Sequence, residues 1–295
     1  MTRPLIICAA LVVARALPAQ TQFLPGIAAT AEAGEAFGTF SPDGREFIFT
    51  IHPGDFSKHR MVITRSENGS WSRPATLPFS GTFNDREPKL SPDGRRLYFS
   101  SNRPRTPGDT ARRRDLDLWF VDRAADGTWG APRPVDGVNT DALEFSPSVS
   151  ANGTLYFIMS TGTGAQRSFN VWRSRPVDLA AGKFSAPEKL GPEINAGFET
   201  NVYVTPDESL MLVSRDGAPD SFGGDDLYAA RGSKGVWQPM RHLSEPINST
   251  EYEYGPLVSP DGRTLIFTSH RTGKGDIYSI PIGEIDRGLN QRAPR

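Results

Sequence analysis

The chain has 295 residues, of which 37% are hydrophobic, 10% aromatic and 23% charged, with 29 glycines and 25 prolines. Its 33 basic and 34 acidic residues leave a formal net charge of −1, which carries no electrostatic footprint for nucleic acid or an anionic membrane surface. Beyond the first twenty residues no stretch of convincing length has helical periodicity, so the composition points to an all-β protein.

In chain order, residues 1–20 come first and read as a secretory signal peptide: Arg3 begins it, an apolar run extends from Pro4 to Ala14, and small residues surround Ala16 and Ala19. The apolar run is too short to span a bilayer, and a buried first strand is the alternative. Cys8 is the only cysteine, so a processed chain would have no disulfide and must rely on its core. A periplasmic or secreted protein with no membrane span in its mature form is expected.

Next comes Phe23-Leu24-Pro25, and then a turn that recurs as Ser41-Pro42-Asp43-Gly44, Ser91-Pro92-Asp93-Gly94, Ser150-Ala151-Asn152-Gly153, Thr205-Pro206-Asp207-Glu208 and Ser259-Pro260-Asp261-Gly262. Each copy fits a type I turn, with a hydroxyl residue first and, in all but the third copy, a proline presetting φ at the second position. A β run follows every turn, as in Phe47-Ile48-Phe49, Leu97-Tyr98-Phe99, Leu155-Tyr156-Phe157, Leu210-Met211-Leu212 and Leu265-Ile266-Phe267. These runs are nearly continuous in apolar residues, as in strands buried on both faces.

Two further elements share the repeat. One is Asp117-Leu118-Trp119, Asn170-Val171-Trp172, Asp226-Leu227-Tyr228 and Asp276-Ile277-Tyr278, with Arg60-Met61-Val62 as a degenerate first copy. The other is an aromatic followed by proline, at Trp71 and Pro74, Trp129 and Pro132, Phe184 and Pro187, and Trp237 and Pro239. Each unit then holds four strands: a enters the turn, b leaves it, c begins at the acid or amide, and d begins at the aromatic. The last unit lacks its d strand, and Phe23-Leu24-Pro25 at the other end matches the missing piece. These features predict a five-bladed β-propeller over residues 21–285, with four-stranded antiparallel blades and an N-terminal strand closing the last blade. Residues 286–295 are expected to be a polar tail. All five tryptophans are absorbed by the c and d strands as blade packing, leaving none as a stacking platform.

The Ser-Pro-Asp-Gly-Arg turn, the Leu-Tyr-Phe-Ser-Ser-Asn-Arg run after it and the later Asp-Leu-Trp or Asp-Ile-Tyr resemble the TolB-type, WD-like propeller repeat. The segment from Gly223-Gly224-Asp225-Asp226 through Trp237 and Pro239 to Ile247-Asn248 and Glu253 is similar to repeats found beside OmpA-type peptidoglycan-binding modules. The resemblance covers nearly the whole chain after residue 20. It implies a propeller in a bacterial envelope setting, and not one activity, because the repeat serves scaffolds, binding proteins and peptidase accessory domains alike.

Six residues before each turn stands an acid: Glu35, Asp85, Glu144, Glu199 and Glu253. Strand a lines the channel of a propeller, so these are expected to form a carboxylate ring, with Arg103, Arg215 and Arg271 and the strand starts Asp117, Asp226 and Asp276 on the same face. Such a ring could hold a cation, a sugar or a basic peptide. Alternatively, each acid pairs with an arginine or caps backbone amides, and its fivefold repetition favours this, because catalysis needs carboxylates in different roles.

The two blades that break the pattern offer further candidates. In blade 1, His52, Asp55 and His59 could in principle ligate a metal, a solvated loop being the alternative, and no cofactor is expected. In blade 2, the loop with Arg103, Arg105, Arg112, Arg113 and Arg114 could recognise a carboxylate or phosphate, or be a solvated excursion. Neither a nucleophile elbow, a phosphate loop, a His-Glu-x-x-His helix nor a cysteine nucleophile is present. The expected function is that of an exported, monomeric, non-enzymatic scaffold. It would bind an envelope or periplasmic protein, or a small polar ligand, at the channel mouth. The alternative is a glycan-active enzyme, a glycosidase or lyase, with its carboxylates in the central funnel. A third reading is an accessory domain of a peptidase system.

Overall fold

A computed structural model describes residues 20–53, 58–106, 113 and 115–290. Residues 1–19 of the expected leader lie outside these, as do Asp55, Arg112 and Arg114. The fold is a five-bladed β-propeller of four-stranded antiparallel blades. Blade 1 is built from Gly34–Phe40, Glu46–His52, Arg60–Glu67 and Ala75–Thr76. Blade 2 follows with Asp85–Leu90, Arg96–Ser101, Asp117–Asp122 and Arg133–Pro134. Blade 3 comprises Glu144–Val149, Leu155–Thr161, Ser168–Ser174 and Glu188–Lys189. Blade 4 comprises Phe198–Val204, Leu210–Asp216, Asp226–Ser233 and Arg241–His242. Blade 5 joins Glu253–Val258, Thr264–Ser269 and Asp276–Pro281 to Thr21–Gln22 from the other end of the chain.

Every repeated turn closes with a hydrogen bond from its fourth N–H to its first carbonyl, at 2.8–3.0 Å. The Asp or Asn at the third position receives the first residue's hydroxyl in four copies, such as Ser91 to Asp93 at 2.6 Å and Ser150 to Asn152 at 2.8 Å. The fourth residue adopts positive φ, which suits glycine. Glu208 stands there without that freedom, at φ 56°, and its carboxylate accepts a hydrogen bond from Tyr156 of the neighbouring blade at 3.0 Å.

Ring closure occurs as expected, but the d strand is displaced from its expected position. Trp71 and Trp237 pair with Ser66 and Gly232 as hairpin extensions of strand c, and Trp129 bridges Arg123 in the same way. The proline after the aromatic lacks an N–H and interrupts the ladder, so the true outer strand begins beyond it. Accordingly, Phe23 corresponds not to these aromatics but to Leu77, Val135, Leu190 and Leu243. All five donate a backbone N–H to the second residue of the strand-c motif, Phe23 to Ile277 at 2.7 Å and the others at 3.0–3.1 Å. Beyond the last blade, residues 286–290 are not tail but the end of helix α1, Gly283–Asn290, which buries Ile285.

The core lies between blades, where strands b and c stack their faces. Phe47, Phe49, Tyr156, Phe157, Tyr228 and Phe267 are among its largest fully buried side chains. One repeated device was not anticipated. Asn139, Asn195 and Asn248 each accept the N–H and donate to the carbonyl of the second residue of the strand-c motif, Leu118, Val171 and Leu227, at 2.7–3.0 Å. In blade 1, Ser80 takes the N–H of Met61 at 2.9 Å.

Candidate functional site

All five acids are fully buried. The faces of each blade stack on its neighbours, so strand a turns its edge to the axis and its side chains toward adjacent blades. The acids therefore lock loops and blade boundaries. Glu35 accepts from the N–H and hydroxyl of Thr30, Glu144 from those of Thr140, and Glu253 from those of Ser249. Glu199 accepts from the N–H groups of Ala196 and Gly197, and from Asn170 across the boundary with blade 3 at 3.2 Å. Asp85 receives the Ser101 hydroxyl at 2.6 Å. In addition, the backbone N–H groups of Glu35, Asp85, Glu144 and Glu253 each donate to the preceding blade, to Gly275, His59, Leu116 and Asp225.

The described candidate arginines pair with acids of their own blade. Arg103 pairs with Asp85 at 2.7 Å, Arg215 with Glu199 at 3.1 Å and Arg271 with Glu253 at 3.1 Å. Arg105 and Arg113, from the long loop of blade 2, both pair with the buried Asp117. Asp226 pairs with His242, and Asp276 with Lys274. Burial pushes the Glu144 carboxyl up to about 7, the Thr140 hydrogen bonds offsetting only part of it, and Glu35 is raised for the same reason.

At the channel centre stands a ring that the sequence reading did not single out, two residues after each acid: Phe37, Glu87, Ser146, Asn201 and Gly255. Strand a bulges here in every blade, and four of the five residues take positive φ, Asn201 being the exception. The bulge frees an N–H to reach the preceding blade: Phe37 to Thr268, Glu87 to Thr50, Ser146 to Ser100 and Gly255 to Asn201, at 3.1–3.2 Å. Glu87 is the ring's carboxylate; it accepts from Ser100 at 2.6 Å and from the Ser146 N–H at 2.8 Å, and meets Arg86 at 3.4 Å. The void within this ring is only about 30 Å³.

Above the ring, on the face of the d-to-a and b-to-c loops, the blades differ most. The Tyr254 hydroxyl and His270 Nε2 lie 3.1 Å apart, and the Tyr254 ring lies 5.3 Å from Phe37. His52 and His59 are buried with ring centroids 5.2 Å apart, rather than solvated in a loop. Burial, with Arg86 and His52 nearby, lowers His59 to about 3, so its imidazole is neutral, and its Nδ1 meets Asn84 Oδ1 at 2.8 Å. Among the described residues no group of three His, Cys, Asp or Glu side chains could hold a metal ion.

Asp225 is raised to about 7 by burial, with Asp216 and Asp226 adding to it, and it accepts from Thr200 at 3.1 Å. Next to it the loop from Gly217 lies against Thr250–Tyr252; a Cβ on Gly224 would come within 2.2 Å of the Tyr252 ring. Two aromatics remain exposed there, Phe222 at 46% and Tyr252 at 49%. Counting only tryptophans as stacking platforms hid them. The face thus offers the aromatic surface of Phe222 and Tyr252 beside a carboxyl raised to about 7 and the His270 imidazole, which meets the phenol of the buried Tyr254.

No family model matches the chain, and no curated protein matches it. Among solved structures it is similar to a thermostable family-43 glycoside hydrolase, with TM-score 0.56 and 11% identity over 86% of this chain and 90% of that one. It is also similar to a gluconolactonase from Xanthomonas campestris, with TM-score 0.51 and 13% identity over 86% and 88% of the two chains. A puromycin-hydrolyzing peptidase of Mycobacterium tuberculosis matches at TM-score 0.47 and 15% identity, over 95% of this chain and 42% of that one. At these identities the likeness is one of fold. Among the described residues no helix is long and apolar enough to cross a membrane.

Proposed function

We propose that the protein is a non-catalytic binding propeller of the bacterial periplasm or cell envelope, of the TolB-like kind, which holds a partner protein or a small polar ligand on its loop face. The observation that carries this reading is the state of the five repeated acids. All are buried and spent on loops and blade boundaries, which leaves the pattern-breaking group of Phe222, Asp225, Tyr252, Tyr254 and His270 as the distinctive chemistry of that face. Aromatic surface next to hydrogen-bonding groups suits a polar ligand with a flat apolar side. The export part of the proposal rests on the composition of residues 1–20.

A second reading, a glycan-active enzyme, is favoured by Asp225, whose raised carboxyl has the character of a general acid. One experiment separates the two. The purified protein is offered a panel of polysaccharide fragments, and binding and turnover are followed in parallel for the parent chain, Tyr252→Ala and Asp225→Asn. The scaffold reading expects binding without turnover, weakened in Tyr252→Ala. Turnover abolished in Asp225→Asn would overturn it.

A further inference from the structure

The opposite end of the channel, among the repeated turns, holds a cavity of about 570 Å³. This falls within the range of small-molecule pockets, roughly 300–1,000 Å³. Its wall is largely apolar: the turn prolines Pro42, Pro92, Pro206 and Pro260 contribute, with Leu210 and Leu257. Lys89 and Tyr203 also line it, from the inner strands of blades 2 and 4, and the Lys89 Nζ sits 3.9 Å from the centroid of the Tyr203 ring.

The charge balance of this cavity is uneven. Asp207 lines it, but its carboxylate is engaged by the N–H and hydroxyl of Ser209 at 3.1 and 2.7 Å. Arg231 lines it too, and pairs with Asp286 of helix α1. The Lys89 ammonium has no such partner among the described residues: burial alone acts on it and lowers it to about 7, with no carboxylate opposing the shift. An aromatic face is its nearest compensation. A cation held in an apolar cavity without a counter-ion is short of an anion, and an acid arriving with its own apolar body would supply both missing contacts.

We propose that the turn-side cavity binds a small organic acid, with its carboxylate on the Lys89 Nζ and its apolar body against the turn prolines and leucines. The site is separate from the loop face and does not depend on the function proposed for it. Only the ammonium form of Lys89 attracts the carboxylate, so affinity falls as pH rises through the lysine's titration, and a bound acid holds the proton on.

The test uses octanoate as the probe and 1-octanol as its uncharged counterpart, followed by calorimetry on the whole protein at pH about 6 and about 8.5. Octanoate is expected to bind at the lower pH, and about tenfold or more weaker both at the higher pH and in Lys89→Met, the size of one charge-assisted hydrogen bond. Lys189→Met, an exposed change on an outer strand, should leave affinity unchanged. In parallel, the parent protein's six lysines are reductively methylated with ¹³C-formaldehyde, and the dimethyl-Lys89 resonance is expected to shift with octanoate. Equal binding of 1-octanol, undiminished affinity in Lys89→Met, or a Lys89 resonance that octanoate does not move would each overturn the proposal.

Discussion

The Arg103 guanidinium donates to the fully buried Asp85 carboxylate at 2.7 Å, and lies 5.0 Å from the Phe99 ring and 5.3 Å from that of Trp119. Removing one member of such a pair leaves the other charged and uncompensated in the interior. Arg103→Ala is therefore expected to lower stability by about 3–5 kcal/mol, read as a shifted urea midpoint with unchanged slope. The double variant Asp85→Asn with Arg103→Met should be less damaged than Arg103→Ala alone, because no isolated charge remains.

Glu144 makes stability depend on pH in a defined direction. Its folded carboxyl is raised from 4.5 to about 7, so between those values the folded state holds a proton that the unfolded chain gives up. Stability should fall as pH rises through this window. Glu144→Gln keeps an acceptor for Thr140 without the charge, and should exceed the parent at pH about 8 by on the order of 1–3 kcal/mol, with little difference at pH about 4. Asp225, raised from 3.8 to about 7, acts in the same direction, so the single variant should flatten only part of the profile. Urea midpoints across the range would check both statements.

The amide of Asn248 holds both backbone groups of Leu227 and also donates to the Leu243 carbonyl. Asn248→Ala strands these buried groups and is expected to cost about 2–4 kcal/mol. Hydrogen exchange should show the Leu227 amide losing protection first, ahead of amides in blade 2.

Deleting residues 20–23 should open blade 5. The deletion removes the pairing of Thr21–Gln22 with strand Asp276–Pro281 and the edge contacts of Phe23 with Phe40 and Phe47, at ring distances of 5.8 and 5.2 Å. An unpaired strand edge recruits other chains. Concentration-dependent oligomers in size-exclusion chromatography are the expected outcome, together with a lower melting temperature.

The blade count and the turns were legible because each rests on a local pattern repeated five times: a turn opened by a hydroxyl residue, Ser-Pro-Asp-Gly in three copies, then an apolar run. Ring closure was legible from the d strand missing after the last unit, although Phe23 stands in for Leu77 and its equivalents rather than for the aromatics. The d strand was misplaced because Trp71 and Pro74 are conspicuous, whereas Ala75–Thr76 has no composition of its own. The acids were visible, but their direction was not. Whether Glu199 faces the axis or Asn170 depends on the orientation of the sheet, a tertiary property that spacing does not encode. Glu87 and Lys89 were hidden for the opposite reason: the bulge occupants Phe37, Glu87, Ser146, Asn201 and Gly255 share no chemistry, nor do Thr39, Lys89, Ser148, Tyr203 and Leu257 two residues further on, so no repeat marks either position. Phe222 and Tyr252 emerged only when exposure could be seen.

The two-residue strand that completes blade 5 also dictates when the molecule can be finished. Thr21 and Ser279 face each other across 258 positions of sequence. Made from its N-terminus, the chain can form four blades and still be an open arc, its first strand idle until the last is available. Completion thus acts as a checkpoint. Truncated chains lacking the final strand have no way to satisfy the edge they leave, and the closing contact, with the largest loop to draw together, is expected to be the late step of folding.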